Sequence, residues 1–422
     1  MTKVITYGTY DMLHYGHIRL LERAKALGDY LIVGVTSDSY DRTRGKINNQ
    51  QSLMERVAAV RDTGIADEII IEEYPGQKID DIKKYGIDIF TVGSDWEGQF
   101  DYLNEYCRVI YLPRTEGISS TAIRSDSRKI KVGVVGELSY RKKFEEEMRY
   151  VNGVELCGTA DESADAVYVA SMPKDHYRDV KTALLAGKHV ICQSPIATEE
   201  AQCRELLKLA AEKGLVLYDA IKTAYLTAYF RLLLLVKSGI IGEIVSVDSV
   251  CTSLEDGAWE ENADLNGKQN SICGWGPTAL LPIFQILGTE YRGMQMVSRY
   301  LDKEKKYDGF TKIDFIFDNA VASAKVAKGA KSEGQLVITG TKGYVFVPAP
   351  WWRTDYFEVR YEDVRQNKKY FYQLDGIGIR YEIVEFVKAI RNGAKNSYVN
   401  DDVSIAISKM IQEFYNDRCV SI

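Results

Sequence analysis

Twice in this chain a short β-branched run opens onto a helical pattern, at KVITYG (3–8) and again at KVGVVG (131–136). Each opening is followed by strand-length and helix-length patterns in alternation, which is the signature of a parallel, doubly wound sheet with helices on both faces. The second series is not a repeat of the first. Two such openings demand two sheets and two cores, and 422 residues exceed what one domain commonly holds.

The first series runs KVITYG, a helix from Tyr15 to about Leu27, YLIVGVTS, a helix around Leu53 to Arg61, EIIIEE, IDDIKKYG, IDIFTVG and RVIYLP. The second runs KVGVVG, the helical SYRKKFEEEMRYV, VELCGTA, AVYVAS, the helix RDVKTALLAG, HVICQ, the helix TEEAQCRELLKLAAEKG and LVLYDA. Beyond about Ile240 the texture changes to long alternating runs, EIVSVDSVCTSL, MQMVSRYL, KIDFIFD, VASAKVAK, GQLVITGTKGYVFVPA and YFEVRYEDV, which read as an antiparallel sheet. Amphipathic helices from roughly Arg380 to Arg391 and Asp402 to Tyr415 follow. The expected organisation is α/β: a Rossmann-like nucleotidyltransferase domain over 1–128, a truncated Rossmann-type domain over 131–240, and an α+β domain with a large, mostly antiparallel sheet over 241–422.

Charge narrows the partners. With 54 basic and 60 acidic residues the chain carries a net −6, so it has no general attraction for nucleic acid or anionic lipid. Seven cysteines are scattered without a C-x-x-C pair, which reads as a reduced pool. The longest apolar stretch, LTAYFRLLLLVKSGII, is cut by Arg231 and Lys237, and no secretory leader precedes the first strand. A cytoplasmic protein without a membrane span is expected.

Two of only four histidines, His14 and His17, stand three apart in GTYDMLHYGHIRLLERAK. They share one face at the start of a helix, where free N–H groups and the positive dipole end favour phosphate. An isolated H-x-x-H is as readily two surface histidines that cap nothing in particular as a site, since metal pairs and chance both produce the spacing. The neighbours shift the balance: Gly8 lets backbone approach, Asp11 can orient a neighbour, and Gly16 removes a side chain between the imidazoles. A second cluster, PRTEGISSTAIRS, places Arg114 to fork onto phosphate oxygens, with Gly117 and the hydroxyls of Ser119, Ser120 and Thr121 at a helix start. Alone it reads equally as a simple cap. Between the two lies RTRGKI, whose Arg44 and Lys46 are either a site loop or a solvated charge pair.

On these motifs residues 1 to about 125 resemble the glycerol-3-phosphate cytidylyltransferase family, through the H-x-G-H of GTYDMLHYGH, the second signature RTEGISST, and the connectors GDYLIVGVTSD and GQKIDDIKKYGIDIFTVGSDWEGQFDYLNEYC. The resemblance implies catalytic roles for His14, His17, Lys46 and Arg114. It implies CTP contacts from Thr9, Tyr10, Asp11, Gly16, Asp95, Thr115, Gly117, Ile118, Ser119, Ser120 and Thr121, and acceptor contacts from Arg44 and Lys78. Mg²⁺ would accompany CTP, with no metal ligands from the protein, and the acceptor would be a polyol phosphate. One departure touches the acceptor side: where the family often has an arginine before V-D-E, this chain has Gly64, and an arginine stands earlier at Arg61.

Residues 131–422 resemble the glucose-fructose oxidoreductase and inositol dehydrogenase family through KVGVVG, DAVYVAS, AGKHVICQSP and SGIIGEIVSV. Its chemistry is missing from the motifs. The dinucleotide loop G-x-G-x-x-G reads Gly136-Glu137-Leu138-Ser139-Tyr140-Arg141, and the family's E-K-P reads Gln193-Ser194-Pro195. The link DESAD replaces a helix, a strand and a helix, although Asp161 can stand in for the usual ribose-binding acid. GWGPTALLPIF puts a Thr or Leu where the family has a His or Tyr, and His176 and His189 read as core or surface residues. NAD(P) is therefore not expected, and a non-catalytic module for homodimerisation or ligand binding is. A true bifunctional enzyme and a scaffold for a polymer-synthesis partner are the alternatives.

Overall fold

The computed structural model describes residues 1–43, 49, 51–113, 129–136, 140–151, 153–159, 163–255, 268–372, 374, 376–393 and 397–422. The chain divides into two compact units, Met1–Arg128 and Lys129–Ile422.

Unit 1 contains β1 (Lys3–Gly8), α1 (Tyr15–Lys25), β2 (Tyr30–Thr36), α2 (Asp38–Thr43), α3 (Leu53–Asp62), β3 (Glu68–Glu72), α4 (Gln77–Tyr85), β4 (Ile89–Gly93) and β5 (Arg108–Leu112). The five strands are parallel in the order β3-β2-β1-β4-β5. Alternation sorts each strand between two cores. Val4, Leu31 and Val33 pack with Leu21, Ala24 and Val60 on one face, and Ile5, Ile32 and Phe90 pack with Ile82 and Leu103 on the other. Each fully buried aliphatic side chain contributes roughly 1.5–3 kcal/mol. Successive connections leave β1 in opposite directions, so the crevice at the carboxyl ends of β1 and β4 is the switch point where such sheets take ligands.

Unit 2 begins with β6 (Ile130–Val135), α5 (Tyr140–Met148), β7 (Val154–Thr159), β8 (Ala166–Val169), α6 (Pro173–Leu185), β9 (His189–Gln193), α7 (Glu200–Glu212) and β10 (Leu217–Ala220). These strands form a second parallel sheet, β10-β9-β8-β6-β7. It continues with α8 (Thr227–Lys237), β11 (Ile244–Thr252), α9 (Ser271–Leu287), β12 (Gly293–Asp302), β13 (Tyr307–Ile316), β14 (Val321–Ala327), β15 (Leu336–Gly340), β16 (Tyr344–Val347), β17 (Tyr356–Arg360), β18 (Lys368–Phe371), α10 (Ile379–Asn392), α11 (Asp401–Tyr415) and β19 (Val420–Ser421). The nine strands β11 to β19 make one sheet in the order β18-β17-β16-β15-β11-β14-β13-β12-β19.

That sheet is mixed, mostly antiparallel: β11 runs parallel to β14, and β12 parallel to β19. The alternating runs contain no direct signal of strand direction, which is set by the connections. The buried helix α9 is absent from the pattern reading. Its sequence, SICGWGPTALLPIFQIL, is apolar all round and carries Pro277 and Pro282 inside the helix, so neither a polar stripe nor the usual helix rules mark it. It forms because it is enclosed, packed on β11, β13, β14 and α11. Among the described residues no helix is long and apolar enough to cross a membrane.

Candidate active site

The carboxyl end of β1 turns sharply into α1. Tyr10 and Met12 hold left-handed backbone (φ 53° and 50°), which costs roughly 1–2 kcal/mol each for a side-chain-bearing residue and is sustained by the surroundings. Tyr10 is buried with its ring over Gly8, where an added Cβ would stand 2.9 Å from the ring, so only glycine fits. Burial pushes the Tyr10 hydroxyl well above its ordinary range, and it stays neutral.

The turn delivers both histidines to one place. His14 caps α1, its Nδ1 accepting from the Gly16 N–H at 3.1 Å. The remaining ring proton of the neutral imidazole therefore sits on Nε2. The His14 and His17 rings stack with centroids 3.9 Å apart and planes 19° apart, and the Tyr10 ring meets His17 edge-on at 5.6 Å. Two imidazoles thus form one wall at the α1 N-terminus, where a polyphosphate is favoured.

Asp11 is buried behind this wall. Its Oδ1 accepts from Gln51 N at 3.0 Å, while Gln51 Oε1 accepts from Met12 N at 2.7 Å, so Asp11 fixes the turn to the chain entering α3. Tyr10 and Asp11, expected as nucleotide contacts, are both buried in this turn. Thr9 donates through Oγ1 to Asp41 Oδ1 at 3.0 Å. Asp95 follows β4 in a short 3-10 turn, Ser94–Trp96, beside the same crevice.

Lys78 takes another position. It is buried at the start of α4 against the Glu72 carboxylate, with its ammonium 4.7 Å from the Tyr7 ring centroid and 5.5 Å from that of Phe100. A cavity of about 40 Å³ opens there, lined by Gly8, Thr36, Glu72, Lys78, Trp96 and Phe100 among others, beside the turn that carries the histidines. Arg61 is exposed at the end of α3 and pairs with its neighbour Asp62. Arg44, Lys46, Arg114, Thr115, Gly117, Ile118, Ser119, Ser120 and Thr121 lie outside the described residues.

Arg56 is the site residue the motifs did not mark. Fully buried in α3, it donates to Thr9 O at 2.7 Å and Thr36 O at 2.8 Å and pairs with Asp38, with Asp41 Oδ2 4.0 Å away. One guanidinium thereby ties the carboxyl ends of β1 and β2 to each other. A signal existed: Arg56 is three residues from Leu53 and four from Val60, on the apolar stripe of its helix.

The nearest carboxylates, Asp11 and Asp41, are engaged by Gln51 N and by Thr9 and Asn49. Among the described residues no group of three or more His, Cys, Asp or Glu side chains is arranged to hold a metal ion. Imidazoles at a helix N-terminus suit phosphate oxygens.

Comparison with known proteins decides the class. A cytidylyltransferase-like family model matches residues 5–126. Glycerol-3-phosphate cytidylyltransferase of Bacillus spizizenii is 52% identical over 126 residues, 30% of this chain and 97% of that protein. The chain belongs to the glycerol-3-phosphate cytidylyltransferase family. Unit 1 of this cytidylyltransferase, a nucleotidyltransferase, therefore carries the stacked pair within the residues the family model matches.

A model described as oxidoreductase family, NAD-binding Rossmann fold, matches residues 131–220. D-xylose 1-dehydrogenase (NADP(+)) of Hypocrea jecorina is 28% identical over 181 residues, 40% of this chain and 46% of that protein. The solved aldose-aldose oxidoreductase from Caulobacter crescentus aligns with TM-score 0.59 at 15% identity, covering 68% of this chain and 97% of that one. At that identity the likeness is one of fold.

In unit 2, Gly136 (φ +93°) ends β6 so close to its neighbour that a Cβ would stand 2.3 Å from Ser171 N. Arg141, at the place of the third loop glycine, donates from Nη1 to Gly136 O at 3.5 Å. The Phe144 and Tyr168 rings stack face to face, 3.8 Å apart and 4° from parallel. His176 is buried with Nδ1 2.6 Å from Pro195 O and Nε2 2.8 Å from Ser171 O, burial lowers its basicity, and the neutral ring donates to one of the two carbonyls. His189 Nδ1 accepts from Val216 N at 3.0 Å. Glu137, Leu138, Ser139 and Asp161 lie outside the described residues.

Proposed function

We propose that unit 1 transfers CMP from CTP to a polyol phosphate, with glycerol 3-phosphate the first choice, giving a CDP-polyol and pyrophosphate for cell-surface polymer synthesis in the cytoplasm. The observation that carries this is the stacked His14–His17 wall at the α1 N-terminus in a domain 52% identical to a glycerol-3-phosphate cytidylyltransferase. An acceptor phosphate oxygen attacks the α-phosphorus in line and pyrophosphate leaves, so no protein nucleophile is required. His14 Nε2–H, His17, Lys46 and Arg114 stabilise charge that builds on the α and β phosphates. Mg²⁺ on the triphosphate offsets charge on its oxygens. Thr9, Gly16, Asp95 and residues 115–121 hold the nucleotide, Tyr10 and Asp11 shape the turn, and Lys78 with Arg44 meets the acceptor.

The second unit is read as non-catalytic and as the source of a homodimer through the outer face of its nine-stranded sheet. Two features support the absence of dinucleotide chemistry: Arg141 in place of a loop glycine, and the Phe144–Tyr168 stack between α5 and β8. The oxidoreductase likeness favours the alternative, that unit 2 reduces or oxidises the polyol. A panel separates them: CTP with glycerol 3-phosphate, ribitol 5-phosphate or erythritol 4-phosphate, following pyrophosphate, with and without NAD(P)H. Pyrophosphate release with one acceptor and no absorbance change at 340 nm is expected. No release with any acceptor sinks the first reading, and NAD(P)H turnover sinks the second.

A further inference from the structure

The small cavity of unit 1 has a carboxylate in its wall. Glu72 ends β3 and is 1% exposed, whereas its neighbour Glu73 faces solvent. Its Oε2 accepts from Thr36 Oγ1 at 2.9 Å, across the paired end of β2, and its Oε1 meets the Lys78 ammonium. We infer that Glu72 is a specificity-determining residue for the acceptor: together with Lys78 it binds the hydroxyls of the polyol, and the acceptor's phosphate lies outside this recess.

Charge argues for hydroxyls. An ammonium and a carboxylate in direct contact offset one another, and a phosphate dianion brought to Lys78 would be set against Glu72 within the same few ångströms. A hydroxyl satisfies both groups, since its O–H donates to a carboxylate oxygen and its oxygen accepts from the ammonium. Glu72 has the capacity for this: a carboxylate offers about four lone-pair sites, and Thr36 and Lys78 account for two. Packing alone does not explain the pair, because the desolvation of two buried charges offsets most of their attraction.

Size and shape agree. A single water needs on the order of 10–15 Å³ of such space, so a cavity of about 40 Å³ takes roughly three water-sized groups. That suits the hydroxyl-bearing end of a short polyol better than a tetrahedral phosphate with its four oxygens. The walls suit the carbon side. Tyr7 donates its hydroxyl to Asp81 Oδ2 at 2.9 Å, so what it offers the recess is its ring, 4.7 Å from the Lys78 ammonium. Trp96 and Phe100, with ring centroids 6.0 Å apart, add apolar surface for C–H groups.

The assignment rests on the reading that unit 1 takes a polyol phosphate, and binding tests it apart from turnover. Titration calorimetry on the full chain, with the inert α,β-methylene analogue of CTP present, compares glycerol 3-phosphate with propyl phosphate, which keeps the phosphate and the carbon chain and lacks both hydroxyls. The unaltered chain should bind glycerol 3-phosphate at least about tenfold more tightly. In Glu72→Gln that ratio should fall to about threefold or less. Because it compares two ligands on one protein, general damage to the fold cancels. Should that variant not fold, Thr36→Val, which unties Oε2 and leaves Lys78 paired, takes its place: a ratio lowered about twofold to fivefold is expected, and an unchanged one overturns the proposal. A ratio below tenfold in the unaltered chain overturns it without any variant. So does a Glu72→Gln chain that loses affinity for both ligands equally, the result expected if Glu72 and Lys78 held the phosphate or served only the fold. Pyrophosphate release from CTP with glycerol 3-phosphate is followed separately; its absence sinks the transfer reading and leaves the binding ratio standing.

Discussion

Arg56 and His17 represent two kinds of residue in one site. His17 stands in the wall that would face the triphosphate, so His17→Ala should lower pyrophosphate release by at least about 10²-fold while the circular dichroism spectrum stays the same. Arg56 acts from behind. Its guanidinium serves two carbonyls and lies among Asp38 and Asp41, and breaking a buried ionic network of this kind costs roughly 3–5 kcal/mol. Arg56→Met should therefore shift the urea midpoint of unit 1 downward by that equivalent. The histidines were legible in the sequence because glycine spacing and a helix start give the pair a chemical context. Arg56 was marked only by its place on the apolar stripe of its helix, and that place does not name its partners, the Thr9 and Thr36 carbonyls, which the fold alone brings within reach.

At the scale of elements, period decided what could be read. The strands of both parallel sheets are continuous apolar runs and the later ones alternate, so most of their positions follow from burial alone. Helix α9 escaped because two prolines and an all-apolar sequence leave no period, and enclosure overrides propensity. Its start is pinned by Asp308 of β13, which accepts from Ile272 N at 3.1 Å and from Thr311 Oγ1 at 2.6 Å. Burial pushes the Asp308 carboxyl up to about 6 from an ordinary 3.8. A raised carboxyl favours the folded state when protonated, so this contribution is complete below pH 3.8 and lost as pH rises through 6, a change of roughly 3 kcal/mol. Asp308→Asn should flatten the stability of unit 2 between pH 4 and 6, measured by urea unfolding across that range.

Taken whole, the molecule joins a family domain to a unit whose fold is shared at low identity and whose motifs have been replaced. Unit 1 has its own two-sided core, and its relative is matched along 97% of its length. A chain ending at Arg128 should release pyrophosphate from CTP with a kcat within about threefold of the full chain, checked in the same coupled assay. Loss of solubility in that fragment would instead tie unit 1 to its neighbour.

The order of the large sheet has a consequence in time. Its middle strand, β11, lies between β14 and β15, and Ser246 pairs with Val321 on one side and Thr339 on the other. Every neighbour in the parallel sheet of unit 1 comes from much nearer along the chain than these partners, apart from the β1–β4 contact. Closing such long loops before any contact rewards them slows folding. Refolding from urea should accordingly be biphasic, with cytidylyl transfer regained in the fast phase while tryptophan fluorescence from Trp351 and Trp352 still drifts toward its native value.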